Sequence, residues 1–343
     1  MLIFISRNIP HIQFSSIYRP PSISKNRLPP QRMFTSAQNK ASAPHVPPVP
    51  RPSASLVIIN ERNEVLMVQR NPHASSFAGA TVFPGGNFDK KQDSSLKITA
   101  IREAFEESGL LIARSSDSLY RIPPDQVLDE ARFAVHGQKQ TFQQFMDEYQ
   151  LSADTESLLP FTTWITPKEA PRRFYTQFYV TFLPGTSASG FMAGSKQERI
   201  PKPDGGQEVI AAQFIRPEKA LAEFNARKIT FMPPQFYLLY TLSSILRSAT
   251  SSFEERAAVR RLSSGQFGRM IINPRRLVQP QSSSDTTTLT YEGDETRGGP
   301  PGRLHRAVVK IGKHGITTAI TLHRNFDIFT EIEPHVFEVS AKL

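Results

Sequence analysis

The stretch that most constrains this chain runs from Thr81 to Leu110. A short apolar run, Thr81-Val82-Phe83, is stopped by Pro84-Gly85-Gly86, and a segment of helical period follows. Proline and paired glycines are strong punctuation after a strand. On a helix turning about 100° per residue, Ile98, Ile101 and Phe105 fall within ~60° of arc. Glu103, Glu106 and Glu107 fall on the opposite side. The period predicts a helix over residues 94–108, capped by Asp93 or Ser94 and closed by Gly109.

Three carboxylates on one face repel one another. The one nearby base is Arg102, four residues before Glu106. Two readings follow. The first is a solvated acidic face with a single i,i+4 ion pair. The second is a divalent-cation site, since Mg²⁺ prefers carboxylate oxygens, keeps several waters and bridges to phosphates. Arg-Glu-x-x-Glu-Glu-x-Gly placed directly after a strand and Pro-Gly-Gly favours the second.

With Arg102-Glu103-Ala104-Phe105-Glu106-Glu107-Ser108-Gly109-Leu110, the sequence resembles the Nudix hydrolases. The resemblance implies that Glu103, Glu106 and Glu107 bind Mg²⁺ or Mn²⁺ and that Arg102 orients them. It implies that Gly85 and Gly86 shape the strand–loop–helix turn. The first half of the family's box departs from its pattern: Gly86 lies 16 positions before Arg102, longer than the family spacing. Gln92 stands where that pattern has glutamate, and Asp89 and Asp93 are candidate replacements out of register. Phe83-Pro-Gly-Gly-Asn87, Ser75-Ser-Phe-Ala-Gly79, Trp164-Ile-Thr-Pro167 and Pro171-Arg-Arg-Phe174 resemble the acyl-coenzyme-A diphosphatase branch, also known as testosterone-regulated-protein-like. The resemblance spans residues 53–240. It implies hydrolysis of a diphosphate linkage in coenzyme A or its esters, giving 3′,5′-ADP and an (acyl-)phosphopantetheine. The alternatives are a nucleoside-diphosphate substrate such as ADP-ribose or a dinucleotide, or a catalytically weak module that binds nucleotide or protein partners.

Glu208 precedes the strand-like Val209-Ile-Ala-Ala-Gln-Phe-Ile215, where a carboxylate either assists the metal and the base chemistry or is a strand-edge charge. Arg172 and Arg173 are candidate phosphate grips, because a guanidinium is a planar fork. Phe174, Phe178 and Phe182 alternate as a core face does. Trp164 reads as structural, and His305 and His323 show no metal-ligand spacing.

The rest of the chain predicts a mixed sheet sandwiched between helices, an α/β (α+β) class in which strands and helices intersperse without a regular βαβ rhythm. Leu56–Ile59 and Val65–Val68 flank turn chemistry at residues 60–63 and read as a hairpin. Residues 126–150 read as helical, part of an insertion around residues 113–160. Phe174–Phe182 and Val209–Ile215 read as strands, and Pro217–Arg227 and Pro234–Ser248 as helices. A C-terminal extension over residues 249–343 holds a polar loop at 279–302 and ends in strands.

The formal charge of +10 invites a nucleic-acid reading, but seven bases and no acid lie within residues 1–60. The remainder carries 34 basic and 31 acidic residues, so the body is nearly neutral and no nucleic-acid partner is expected. There is no cysteine, which excludes thiolate sites and disulfides. No apolar run approaches the roughly 20 residues of a membrane span. Residues 1–52 hold ten prolines and read as a disordered leader or a mitochondrial transit peptide. Ala341-Lys342-Leu343 is a variant of the peroxisomal tripeptide, which makes an import receptor an expected partner.

Overall fold

In the computed structural model, which describes residues 47–74, 78–115, 123–183, 208–277, 285–312 and 316–332, one long strand organises the rest. β1 (Arg51–Ile59) is a nine-residue strand whose side chains point alternately to two cores. Ala54, Leu56 and Ile58 join one cluster, and Val57 and Ile59 the other. Four strands meet β1 or its partner β2 (Val65–Arg70): β3 (Thr81–Val82), β4 (Gly85–Asn87), β8 (Phe174–Phe182) and β9 (Val209–Ile215).

The helix α1 (Leu96–Ser108) covers the first face. The insertion then adds β5 (Ala113–Ser115), α2 (Asp125–His136), α3 (Phe142–Glu148) and β6 (Leu151–Ala153). β5 and β6 pair antiparallel, Ala113 opposite Ala153, so the neck of the insertion is zipped shut. Phe145 of α3 stacks on Phe105 of α1 at 5.4 Å between centroids. Burying one such aromatic is worth on the order of 2–3 kcal/mol, so the insertion steadies the helix that bears the glutamates.

β7 (Leu159–Ile165) and β8 (Phe174–Phe182) complete the centre of the sheet, β8 running parallel to β1 along its whole length. β9 (Val209–Ile215) pairs with β2. The second face is covered by α4 (Pro217–Asn225), α5 (Pro233–Ser243), α6 (Phe253–Ser264) and the short α7 (Gln266–Arg269). β10 (Ile271–Ile272) adds to the edge of the main sheet at β7. β11 (Arg275–Arg276), β12 (Thr286–Thr290), β13 (His305–Ile311) and β14 (Thr317–Arg324) form a separate antiparallel sheet. Its Leu289, Tyr291, Ala307, Val309 and Ile320 enter the same cluster as Trp164, Tyr237 and Leu238, so this sheet shares the core of the main one.

A mixed sheet between helical layers is therefore present as expected, and several local expectations are corrected. The expected antiparallel hairpin forms, but its strands pair in register only at Ile59 and Val65, because β8 takes one edge of β1 along its whole length and β4 takes Ser53–Ser55 of the edge that β2 also uses. β3 ends at Val82, before Pro84 as expected, and Gly85-Gly86 opens a separate strand, β4, against Ser53–Ser55. A Cβ on Gly85 would sit 2.4 Å from the Ala54 carbonyl oxygen, so the pairing needs glycine. The cap of α1 is Ser95, which accepts from the Ile98 N–H, and Gly109 closes the helix at φ 74° as expected. The 126–150 segment is two helices, broken at Gly137 and restarted by a capping box between Thr141 and Gln144. The 279–302 loop contains β12, a run of β-branched threonines paired with β13. Residues 1–46 and 333–343, with both expected address signals, lie outside the described residues, as do 75–77. Among the described residues no helix is long and apolar enough to cross a membrane.

Candidate active site

The site is built on α1. Its apolar side is fixed by Ile101, Ala104 and Phe105, which leaves Glu103, Glu106 and Glu107 on the side toward β4 and α2. Arg102 is the organising cation. Its Nε and Nη2 take both oxygens of Asp93 at 2.8 and 2.9 Å. Nη1 reaches Glu106 at 2.8 Å and Glu103 at 3.0 Å, and Nη2 also donates to the Asn87 carbonyl. Asp93 further accepts from the Thr99 hydroxyl and the Asp89 N–H. The out-of-register aspartate thus anchors Arg102, and Gln92 instead bonds Asp89.

Glycine is required here by space. A Cβ on Gly86 would lie 2.4 Å from the Glu103 carboxylate, so that carboxylate rests directly over the glycine backbone. The Gly85 N–H donates to Glu107 at 3.0 Å. Both glycines therefore lie against the glutamates of α1.

Pairing of β2 with β9 brings in a carboxylate distant in sequence. Glu208, just before β9, meets Arg70 at the end of β2 at 3.5 Å. The other arm of Arg70 reaches Glu107 at 3.3 Å. The insertion contributes from the far side: His136 Nδ1 lies 3.3 Å from Glu106, and Arg132 donates to the Glu106 carbonyl. Arg70, Arg132 and His136 were missed in the sequence. Arg70 ends a strand at the mouth of a loop, a weak signal, and the two residues of α2 carry none.

Electrostatics separates these acids from ordinary surface carboxylates. Burial pushes the Glu103 carboxyl up to about 7; Arg102 opposes the rise, and Glu106 and Glu208 add to it. Burial, then the Glu103 charge, holds Glu107 well above the usual range despite Arg70 and the Gly85 N–H. Burial pulls the Arg102 guanidinium down, but Asp93, Glu103 and Glu106 outweigh it and hold it above its ordinary value. Among the described residues, Asp93, Glu103, Glu106, Glu107 and Glu208 gather around Arg70, Arg102 and His136. Carboxylate oxygens suit a hard divalent cation, so the donor chemistry fits one. Among the described residues no three such side chains close into a ready-made cage; arginines stand between them instead.

Arg173 is not brought to this cluster. It is buried at the start of β8, with Nε on the Thr166 carbonyl and Nη1 on the Pro48 carbonyl, so its guanidinium ties segments together. Arg172 beside it is exposed.

A β-strand, a glycine-backed turn and a helix bearing clustered glutamates under an arginine define the class of site found in Nudix domains. The comparisons agree: the family model described as the NUDT19 Nudix domain matches residues 90–242. Over these residues the chain is similar to the Nudix hydrolases. It is 30% identical over 199 residues to putative nudix hydrolase 7 of Caenorhabditis elegans, covering 57% of this chain and 61% of that protein. It is 24% identical over 238 residues to the acyl-coenzyme A diphosphatase NUDT19 of Xenopus laevis, covering 52% of this chain and 59% of that one. The chain thus spans less than two thirds of the length of these relatives. A Nudix hydrolase structure from Alicyclobacillus acidocaldarius aligns with 22% identity and a TM-score of 0.46, over 61% of this chain and 96% of that one.

Proposed function

We propose that this protein hydrolyses a diphosphate linkage with Mg²⁺ or Mn²⁺, and that its substrate is coenzyme A or an acyl ester of it. The observation that carries the hydrolase reading is the convergence of Glu103, Glu107 and Glu208 from two elements, with the carboxyls of Glu103 and Glu107 raised by burial and mutual repulsion. Crowding acids in a buried cluster costs stability, and groups perturbed in this way concentrate at functional sites. Glu103, Glu106 and Glu107, assisted by Glu208, would hold the cation. That cation would polarise the diphosphate and offset its developing charge as water attacks phosphorus.

The chain's own residues do the rest. Arg102, locked by Asp93, fixes the carboxylates of Glu103 and Glu106. The Gly85 N–H fixes Glu107. Water adds across the P–O–P bridge, so one phosphate leaves as 3′,5′-ADP and the other stays on the (acyl-)phosphopantetheine. The coenzyme-A choice rests on the relatives named as acyl-coenzyme A diphosphatases. The test is a screen of purified protein with Mg²⁺ or Mn²⁺ against coenzyme A, its esters, ADP-ribose and dinucleotides. The expected result is the highest kcat/KM on the coenzyme-A compounds. Preference for ADP-ribose would reject that substrate class alone, and inactivity on every diphosphate would reject the hydrolase reading.

A further inference from the structure

A buried carboxamide at the start of α5 lacks a partner. α5 lays Leu238, Leu239 and Leu242 into the second core, and Gln235 stands on the same side of the helix by its period. Gln235 is 8% exposed, and its side-chain carbonyl oxygen is out of contact with solvent and accepts no hydrogen bond among the described residues. A buried acceptor left unmade costs stability. The end of the helix around it is uncapped. Met232 supplies no side-chain cap, and Pro233 and Pro234 have no N–H. The Phe236 N–H is taken by the Met232 carbonyl. The backbone N–H of Gln235 is therefore the first donor of α5, at its positive end. This turn stands at the catalytic end of the sheet. Thr230, just before it, accepts from the Thr81 N–H at 2.8 Å. Thr81 pairs with Gln69, the residue before Arg70, whose side chain meets Glu107. Four residues beyond Thr81, the Gly85 N–H donates to the same glutamate.

We infer that Gln235 is a specificity-determining residue whose carboxamide reads a paired donor–acceptor edge on the substrate. The inference rests on the diphosphatase reading above. The terminal amide torsion of glutamine is broad, so the group can turn either end toward a ligand. A carboxamide makes a two-point pair with an adenine edge, and equally with another amide. Coenzyme A carries both: adenine on the half that leaves as 3′,5′-ADP, and amides on the phosphopantetheine half. The glutamine amide does not titrate, so its part is recognition and not proton transfer. Without substrate its unpaired oxygen is a standing cost, which a bound edge removes. A site built to hydrogen-bond a substrate group discriminates strongly, because a ligand lacking that group leaves the buried polar atom unpaired.

The experiment separates recognition from scaffolding. Gln235→Met keeps the length of the side chain and removes both polar ends. Gln235→Asn keeps the amide and withdraws it by one methylene. The probes are 3′,5′-ADP and phosphopantetheine, each titrated by calorimetry with Mn²⁺, alongside KM and kcat for coenzyme A. In Gln235→Met the ligand-free melting temperature is expected to hold or rise, since an unpaired acceptor is gone. Affinity for at least one half is expected to fall about tenfold or more, the scale of one lost buried pair. The half affected tells the adenine edge from the amide edge. KM for coenzyme A should rise by a similar factor while kcat changes far less, the mark of lost ground-state binding. Gln235→Asn should lose affinity for the same half. Wild-type affinity for both halves in both variants, or a lowered ligand-free melting temperature with KM unchanged, marks a structural glutamine and overturns the inference, while cleavage of coenzyme A by the wild type upholds the hydrolase reading. A wild-type protein that cleaves no diphosphate overturns both.

Discussion

Two buried centres in this molecule are made from the same ingredients and have opposite electrostatics. At the glutamate helix, Glu103 is pushed up to about 7 and Glu107 well above its ordinary range. Beside the C-terminal sheet, Asp294 is also out of contact with solvent but lies at about 2: burial raises it, and Arg306, the His305 N–H and Thr296 more than offset that. Arg306 takes both oxygens of Asp294 at 2.7 Å, and the His305 and Thr296 N–H groups add to them. His305 itself is held neutral, at about 3, first by burial. Its Nδ1–H then donates to the Glu292 carbonyl and its Nε2 accepts from the Tyr237 hydroxyl, joining the C-terminal sheet to α5. One centre satisfies its acid and locks the fold. The other raises its acids by burial and mutual repulsion, a cost to stability that a bound cation would relieve.

Glu107→Gln should give the largest separation between the two. The rate should fall about 10²–10³-fold, as when a central electrostatic element is removed. The metal-free melting temperature should hold or rise, because glutamine keeps an acceptor for the Gly85 N–H. A variant with full activity, or one that is destabilised without metal, breaks the contrast. Asp294→Ala is the mirror experiment. It leaves Arg306 and two N–H groups without their buried partner, which should destabilise the protein by about 3 kcal/mol. Denaturant titration reads the loss, and kcat/KM of the folded protein should stay at the wild-type value.

The two centres should also respond to pH in opposite directions. A raised carboxyl stabilises the fold fully below its unfolded value of 4.5 and loses that contribution as pH rises to about 7, which is the case for Glu103. A depressed one contributes above its unfolded value and loses it as pH falls, which for Asp294 is the window from 3.8 down to about 2. Melts in chelator should therefore decline toward neutral pH by on the order of 2 kcal/mol. Because Glu292 is also raised, the deciding curve is Glu103→Gln, which should be flatter than wild type between pH 4.5 and 7. The smallest effect belongs to Glu208→Gln. Its side chain is half exposed, so stability should move by less than about 0.5 kcal/mol. Calorimetry should show a Mn²⁺ affinity only a few-fold weaker; an unchanged affinity would remove Glu208 from the cluster.

Much of the scaffold was legible because its signals are local. The phase of Ile98, Ile101 and Phe105 against Glu103, Glu106 and Glu107 gave α1, with Gly109 closing it in the left-handed conformation. Phe174–Phe182 and Val209–Ile215 are strands with the bounds their patterns predicted. The misreadings arose where a neighbour overrides the local pattern. Gly85-Gly86 stops β3 as read, but it reads as turn until β1 offers it an edge as β4. Residues 286–290 read as polar loop until β13 pairs with them. Arg173 reads as a phosphate grip until the Thr166 and Pro48 carbonyls are seen to occupy it.

By itself, the sequence determined which side of α1 is acidic and which is apolar, because helical period and caps are set by residues within a few positions of one another. It also determined that glycine stands at 85 and 86, where no side chain fits. Only the tertiary structure decided which cations meet those acids. Asp93 reaches Arg102 through the path of the loop between β4 and α1. Arg70 and Glu208 meet because β2 pairs with β9. His136 reaches Glu106 because aromatic stacking seats the insertion on α1. Charges act through space over a few ångströms whatever their separation along the chain, so the partners of a buried carboxylate are fixed by strand pairing and packing.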